Sequence, residues 1–298
     1  MSAGLERRRI LGLVAAAAFG AGRRADAAAD ERFEIHDWKL EGDVSRRALV
    51  AVPRGAPDGA PLATLVLFHG LGETSSEELG VRAWIDRYGL FAAHERLARP
   101  PVTPESKRGD LPASRAGEMN DELRARPFRG RMVYVCPYTP NVWRLPDTSR
   151  ALDRLAAWVA DVLLPEVRAK TPASASTERT GVDGCSLGGF VGLEVFLRRP
   201  RAFGAWGGVQ SALREASAPR CASRIADALK NEGPRRLHVE TSRGDPFYRA
   251  NLALSRELRA RDVPHDLTVL RGPHDQPWLR EAGTLEMLLW HDRALSER

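Results

Sequence analysis

The sequence is poor in the features that would make classification easy. Cysteine is scarce: Cys136, Cys185 and Cys221 are the only three in 298 residues, too few and too scattered for a disulfide scaffold or a CxxC-type zinc site. No apolar run is long enough to span a bilayer; the longest, Ile10–Gly22, covers 13 residues, where a spanning helix needs about 20. P-loop, dinucleotide fingerprint and HExxH spacing are all absent, so no cofactor and no metal is expected. There is no surplus of one charge over the body of the chain. Lys and Arg number 45 against 39 Asp and Glu, but residues 1–27 hold five arginines and two acids. The remainder therefore carries 40 against 37, with no electrostatic footprint for a nucleic-acid partner. What is present is ordinary for a globular protein with a full core: 43% hydrophobic, 28% charged and 7% aromatic residues.

The amino terminus reads as an export address. Arg7-Arg8-Arg9 precedes the Ala- and Gly-rich run, and Ala25-Asp26-Ala27 offers a small-residue cleavage site. The arginine pair before Ile10-Leu11 resembles a twin-arginine signal. Residues 1–27 are thus expected to be removed, with the mature chain starting near Ala28 in the periplasm or outside the cell. In that oxidising setting some cysteines could pair, and with three at least one stays single.

Beyond residue 28 a single domain is expected. Strand patterns fall at 32–39, 47–52, 64–69, 131–136, 180–185, 203–209, 236–241 and 266–270, with helix patterns at 150–169, 187–198, 222–230, 246–260 and 277–295. The first two strands lack an intervening helix and suggest a hairpin. The later alternation of strand and helix implies right-handed crossovers and a mostly parallel, eight-stranded α/β sheet with helices on both faces. Residues 92–130, rich in Pro, Arg and Glu, read as an irregular insertion, either at the mouth of a site or hanging loose. If it only covers the mouth, deleting 100–126 should alter KM more than kcat.

Gly184-Cys185-Ser186-Leu187-Gly188 matches G-x-S-x-G, after the short strand pattern Thr180–Asp183 and before an apolar helix. That strand–turn–helix setting is what a nucleophile elbow needs. β-Carbons at Gly184 and Gly188 would crowd such a strained turn. A second glycine-rich turn, Phe68-His69-Gly70-Leu71-Gly72, ends a hydrophobic strand. A nucleophilic serine requires a base and an orienting acid, in the chain order Ser, acid, His for this elbow. His274 follows the strand at 266–270 in the loop Arg271–Asp275, whereas His291 falls inside the final helix pattern and suits a surface or packing role. Asp245, in Arg243-Gly244-Asp245-Pro246, follows a strand and precedes a helix; Glu240 is the reserve acid, and Asp275 is too near His274 in sequence to be preferred. Cys185 reads as a small buried wall residue. Tyr138, Trp143 and Tyr248 flank these loops and are equally compatible with a substrate pocket and with ordinary packing.

These motifs resemble the α/β-hydrolase fold, and within it the esterase-D, feruloyl-esterase and polyhydroxyalkanoate-depolymerase group, over roughly residues 45–295. The resemblance implies that the strand ending in His69-Gly70 neighbours the strand ending in Ser186. It also implies that the backbone N–H groups of Leu71 and Leu187 form an oxyanion hole. The Gly-Asp-Pro setting of Asp245 matches the family's acid, and the His274 loop resembles its Gly-Gly-His-Asp/Ser-Trp segment. Two departures stand in that loop: Pro273 replaces the second glycine, and Gln276-Pro277 intervene before Trp278, which comes later than usual. Only residues 211–221 separate the sixth strand from the next helix, too few for a large cap domain. The reading implied is a serine hydrolase of carboxylic esters, small-molecule or polymer-linked, that needs no cofactor. Acyl transfer with the same residues is the alternative. A peptidase fits less well, because no gating domain fits the length. A non-catalytic binding protein would ordinarily have lost one of the three residues.

Overall fold

The computed structural model describes residues 32–55 and 61–296; the signal peptide expected at 1–27 lies outside them. Eight strands form one sheet: β1 (Phe33–Lys39), β2 (Arg47–Pro53), β3 (Ala63–Phe68), β4 (Met132–Pro137), β5 (Thr180–Gly184), β6 (Ala205–Val209), β7 (Arg236–Gly244) and β8 (Asp266–Pro273). Their order across the sheet is β1-β2-β4-β3-β5-β6-β7-β8. β1 and β2 are an antiparallel hairpin and β2 pairs antiparallel with β4. Every other pairing is parallel.

The central strands are apolar on both sides, as a sheet covered on both faces demands. β3 and β4 are buried at every position, and their alternate residues feed two separate cores. Leu65, Leu67, Met132, Tyr134 and Cys136 face one core. Val66, Phe68, Val133 and Val135 face the other. The first core is closed by α1 (Glu77–Asp86), α2 (Leu90–Ala98), α3 (Ala113–Ala125) and the last helix, α9 (Thr284–Leu295). The second lies under α4 (Thr148–Trp158), α5 (Leu164–Lys170), α6 (Leu187–Arg198), α7 (Ala218–Glu232) and α8 (Tyr248–Arg259). Local chemistry starts these helices where the sequence allows: Ser76 caps α1 by accepting from Leu79 N, and Asp147 caps α4 by accepting from Arg150 N.

The topology positions the site. From β3 the chain passes to one side, to β4; from β5 it passes to the other, to β6. β3 and β5 are neighbours, so the loops leaving their carboxyl ends diverge to opposite faces and open a crevice. In open α/β sheets that crevice is where ligands bind. Between β6 and α7 there is only the short stretch 210–217, and no cap domain.

Residues 92–130 differ from the irregular insertion expected. They finish α2 and contain α3, whose Ala116, Met119 and Leu123 are buried in the first core together with Val102 and Leu111. Arg115 makes a two-pronged ion pair with Glu286 of α9, at 2.6 and 2.8 Å. Asn120 both accepts from Val102 N and donates to Val102 O, at 2.7 and 2.8 Å. The Pro- and charge-rich composition hid an apolar stripe of only three helical positions. The helices α1 and α2 were also not apparent in the alternation of strand and helix patterns.

Candidate active site

Ser186 sits on the turn between β5 and α6 with φ 57° and ψ −118°, a conformation that costs a non-glycine residue on the order of 1–3 kcal/mol. Its neighbours hold it there. Cys185 N donates to Phe68 O at 3.2 Å, Ser186 N to Val209 O at 3.0 Å, and Ala212 N to Ser186 O at 2.9 Å. The flanking glycines are sterically required. A β-carbon at Gly184 would lie 2.4 Å from the Gly188 carbonyl carbon.

The structure brings Ser186, His274 and Asp245 into one hydrogen-bonded line. His274 Nε2 lies 2.9 Å from Ser186 Oγ, and His274 Nδ1 lies 2.9 Å from Asp245 Oδ1. The Asp245 side chain is fully buried and accepts two further bonds, from Thr241 Oγ1 at 2.8 Å and Phe247 N at 3.0 Å. With Asp245 ionised, Nδ1 carries the imidazole proton and Nε2 is left to accept from the serine hydroxyl. Phe247 packs edge-on against the His274 ring, with centroids 5.4 Å apart.

The His274 loop is held by the motif's own Trp278 and by two residues the motif did not announce, Ser242 and Gln210. Gly272 has φ +107°, which glycine tolerates, and a β-carbon there would come 2.3 Å from Trp278 Cδ1. Trp278 Nε1 donates to Arg271 O at 2.6 Å, Ser242 Oγ to Gly272 O at 2.6 Å, and Gln210 Nε2 to Pro273 O at 3.1 Å. Pro273 therefore serves through its carbonyl. The late Trp278 closes the loop from behind. Ser242 and Gln210 lie 30 and 63 residues away from the carbonyls they hold, so no local pattern signalled them.

On the β3 side, His69 is buried, and burial pushes its imidazole down to a pKa of about 4, so it is neutral at pH 7. Thr139 N donates to its Nε2 at 2.9 Å, which leaves Nδ1–H to donate to Gly70 O at 2.9 Å. The Gly70 carbonyl and the Leu71 N–H belong to one planar trans peptide and point in opposite directions. Fixing the first therefore aims the second away from His69. Leu71 opens a single 3-10 turn and Leu187 opens α6, so neither N–H can be satisfied within its own helix. The Leu71 side chain is exposed and that of Leu187 buried.

The remaining candidates separate cleanly. Glu240 is wholly buried, and desolvation, with Glu286 and Asp183 nearby, pushes its carboxyl well above the usual range. It sits beneath the sheet surface, where a proton rather than a charge is favoured. Asp275 accepts from Trp278 N and pairs with Arg108 at 3.1 Å. His291 lies in the core, 2.8 Å from Asp183. Cys185 is buried, and burial pushes its thiol up; all three cysteines are free thiols. Tyr138 Oη donates to Thr74 O at 2.9 Å, bracing the turn that follows β3. Trp143 is exposed over Phe190, with centroids 5.7 Å apart, one helical turn beyond Ser186. Tyr248 is half-buried at the start of α8.

No protein-family model and no curated protein matches the chain by sequence. Solved structures match it in shape. A ferulic acid esterase superposes with a TM-score of 0.63 at 15% identity, covering 88% of this chain and 99% of that one. The fold is that of the α/β-hydrolases. Two further examples agree. S-formylglutathione hydrolase from Staphylococcus aureus gives 0.57 at 15% identity, over 87% of this chain and 96% of its own. A feruloyl esterase module from Clostridium thermocellum, in complex with sinapinate, gives 0.58 at 14% identity, over 90% of each chain. Within this α/β-hydrolase frame the Ser186 turn follows β5, and the His69–Glu73 turn lies beside it after β3. Among the described residues no helix is long and apolar enough to cross a membrane.

Proposed function

We propose that the protein is a serine hydrolase of carboxylic esters, acting through an acyl-enzyme on Ser186. The observation that carries this reading is the single imidazole of His274, at 2.9 Å from both Ser186 Oγ and Asp245 Oδ1. Esterases of the same fold support the choice of ester as substrate. His274 takes the serine proton as Oγ attacks the ester carbonyl and returns it to the leaving alcohol. Asp245 orients the ring and stabilises the imidazolium. The N–H groups of Leu71 and Leu187 receive the developing oxyanion, each worth roughly 10²–10³ in rate. Water activated by His274 then releases the acid. The short 210–217 connection leaves little apolar wall around a long acyl chain, and each methylene left wet forfeits about 0.8 kcal/mol. Acetyl to butyryl esters should therefore turn over faster than twelve-carbon ones.

The test is Ser186→Ala with a fluorophosphonate probe. Wild type should label at one serine, and the variant should lose both label and turnover, the latter by about 10⁴–10⁶. Labelling that persists at another serine refutes the assignment. Export through the Arg7-Arg8 signal belongs to the same reading. Mass analysis of the periplasmic or secreted protein should find a chain starting near Ala28; an intact Met1 on exported enzyme argues against it.

A further inference from the structure

Glu73 is out of place for a glutamate in a short turn. It is 3% exposed, and burying a carboxylate is costly unless partners replace its water. The partners it has come from two directions. Tyr88 Oη–H donates to one carboxylate oxygen, and Gln276 Nε2 donates to the other at 3.0 Å. Arg87 Nη1 adds an ion pair at 3.5 Å.

Those partners define a mechanical link. Tyr88 Oη also accepts from Gly70 N at 3.1 Å, so one hydroxyl holds the 70–73 turn at both ends, with Leu71 between them. Tyr88 itself is fixed: its ring packs edge-on against Trp84 at 5.1 Å, and its carbonyl accepts from Thr284 Oγ1 at 2.7 Å. On the other side, Gln276 is two residues beyond His274. The turn after β3 and the loop after β8 leave strands with three others between them, and Glu73 joins the two directly.

We propose that Glu73 is a positioning residue: through Tyr88 and Gln276 it ties the turn bearing the Leu71 N–H to the loop bearing His274. The proposal rests on the serine-hydrolase reading above. In that reading the oxyanion donor and the general base must be correctly placed at the same moment, and they belong to separate loops. Glu73 sets the spacing between them. An error of about 1 Å between reacting groups can cost on the order of 10² in rate. A residue acting this way should affect the chemical step and leave ground-state binding nearly intact.

The experiment uses the full-length enzyme with Glu73→Ala, Gln276→Ala, Glu73→Gln and the double alanine variant, alongside Ser186→Ala. Short-chain aryl-ester kinetics, the rate of fluorophosphonate labelling and thermal unfolding are measured on each. Glu73→Ala and Gln276→Ala should lower kcat and the labelling rate together, by roughly 10–100-fold, with KM within about threefold. The double variant should be no worse than Glu73→Ala, because both remove one link. Glu73→Gln keeps an acceptor for one donor and should fall between. Gln276→Ala, at a half-buried position, decides the matter if Glu73→Ala does not fold. Wild-type kcat in a folded Gln276→Ala, losses that multiply in the double variant, or a fall in melting temperature alone would each overturn the link while Ser186→Ala stays inactive. Turnover that survives Ser186→Ala would overturn the site reading, and this proposal with it.

Discussion

Gly188 and Phe68 are in backbone contact: a β-carbon on Gly188 would sit 2.1 Å from the Phe68 carbonyl oxygen. The first turn of α6 therefore rests directly on the end of β3, and this closeness sets Ser186 beside the Leu71 turn. Backbone cannot yield as a flexible side chain can. Gly188→Ala is expected to shift the elbow and remove at least 99% of ester turnover, the order of effect of a 1 Å displacement. Steady-state kinetics on protein shown to be folded by circular dichroism checks this; full activity would mean that β3 moves freely.

Stability should decline in mild acid because of buried histidines. His69 is held down to about 4 by burial, against an ordinary value near 6.5. Its folded pKa is depressed, so between those values the unfolded chain binds the proton and the native state does not. Stability is therefore lost as pH falls from about 6.5 to about 4, by up to about 3 kcal/mol for this residue. His94, at about 4, and His238, at about 3, act in the same sense. Buried carboxyls such as Glu240, whose pKa is raised, act oppositely. Urea unfolding of wild type and His69→Asn at pH 7 and pH 4.5 isolates the one histidine. The variant is expected to show the shallower pH dependence, and equal slopes would contradict it.

The segment 92–130 should behave as core. Arg115→Ala leaves Glu286, 4% exposed, as a buried charge without its main partner, a loss of about 3 kcal/mol. Denaturant midpoints measure this, and turnover per folded molecule should stay near wild type. Deleting 100–126 would also remove Leu111, Ala116, Met119 and Leu123 from the core. It should therefore abolish folding, in place of the KM effect that a loose cover would produce.

The segment also reaches the site through one residue. Arg108 bridges Asp110 at 2.9 Å and Asp275 at 3.1 Å, and Asp275 adjoins His274. Arg108→Ala should lower kcat about two- to tenfold, since the pair is partly exposed and its energy modest. High salt should weaken turnover in wild type toward the variant's level. A salt-independent wild type would assign Arg108 no part in holding the loop.

The sequence by itself determined the strand pattern, the elbow glycines and the order Ser186, Asp245, His274. Each is a local demand: apolar runs for strands covered on both faces, no β-carbon where backbones touch, polar groups at strand ends. Tertiary structure decided what depends on distant segments meeting. Asp245 rather than Glu240 reaches His274 because Gly244, the last residue of β7, pairs with Pro273 of β8, which sets the next residues, Asp245 and His274, side by side, whereas Glu240 lies four residues back within the strand. Likewise, Glu73 meets Gln276 across 203 residues, and Arg115 meets Glu286 across 171. Hydrogen bonds and ion pairs impose no period on a sequence, so partners that far apart leave no trace in it until the sheet brings their loops together.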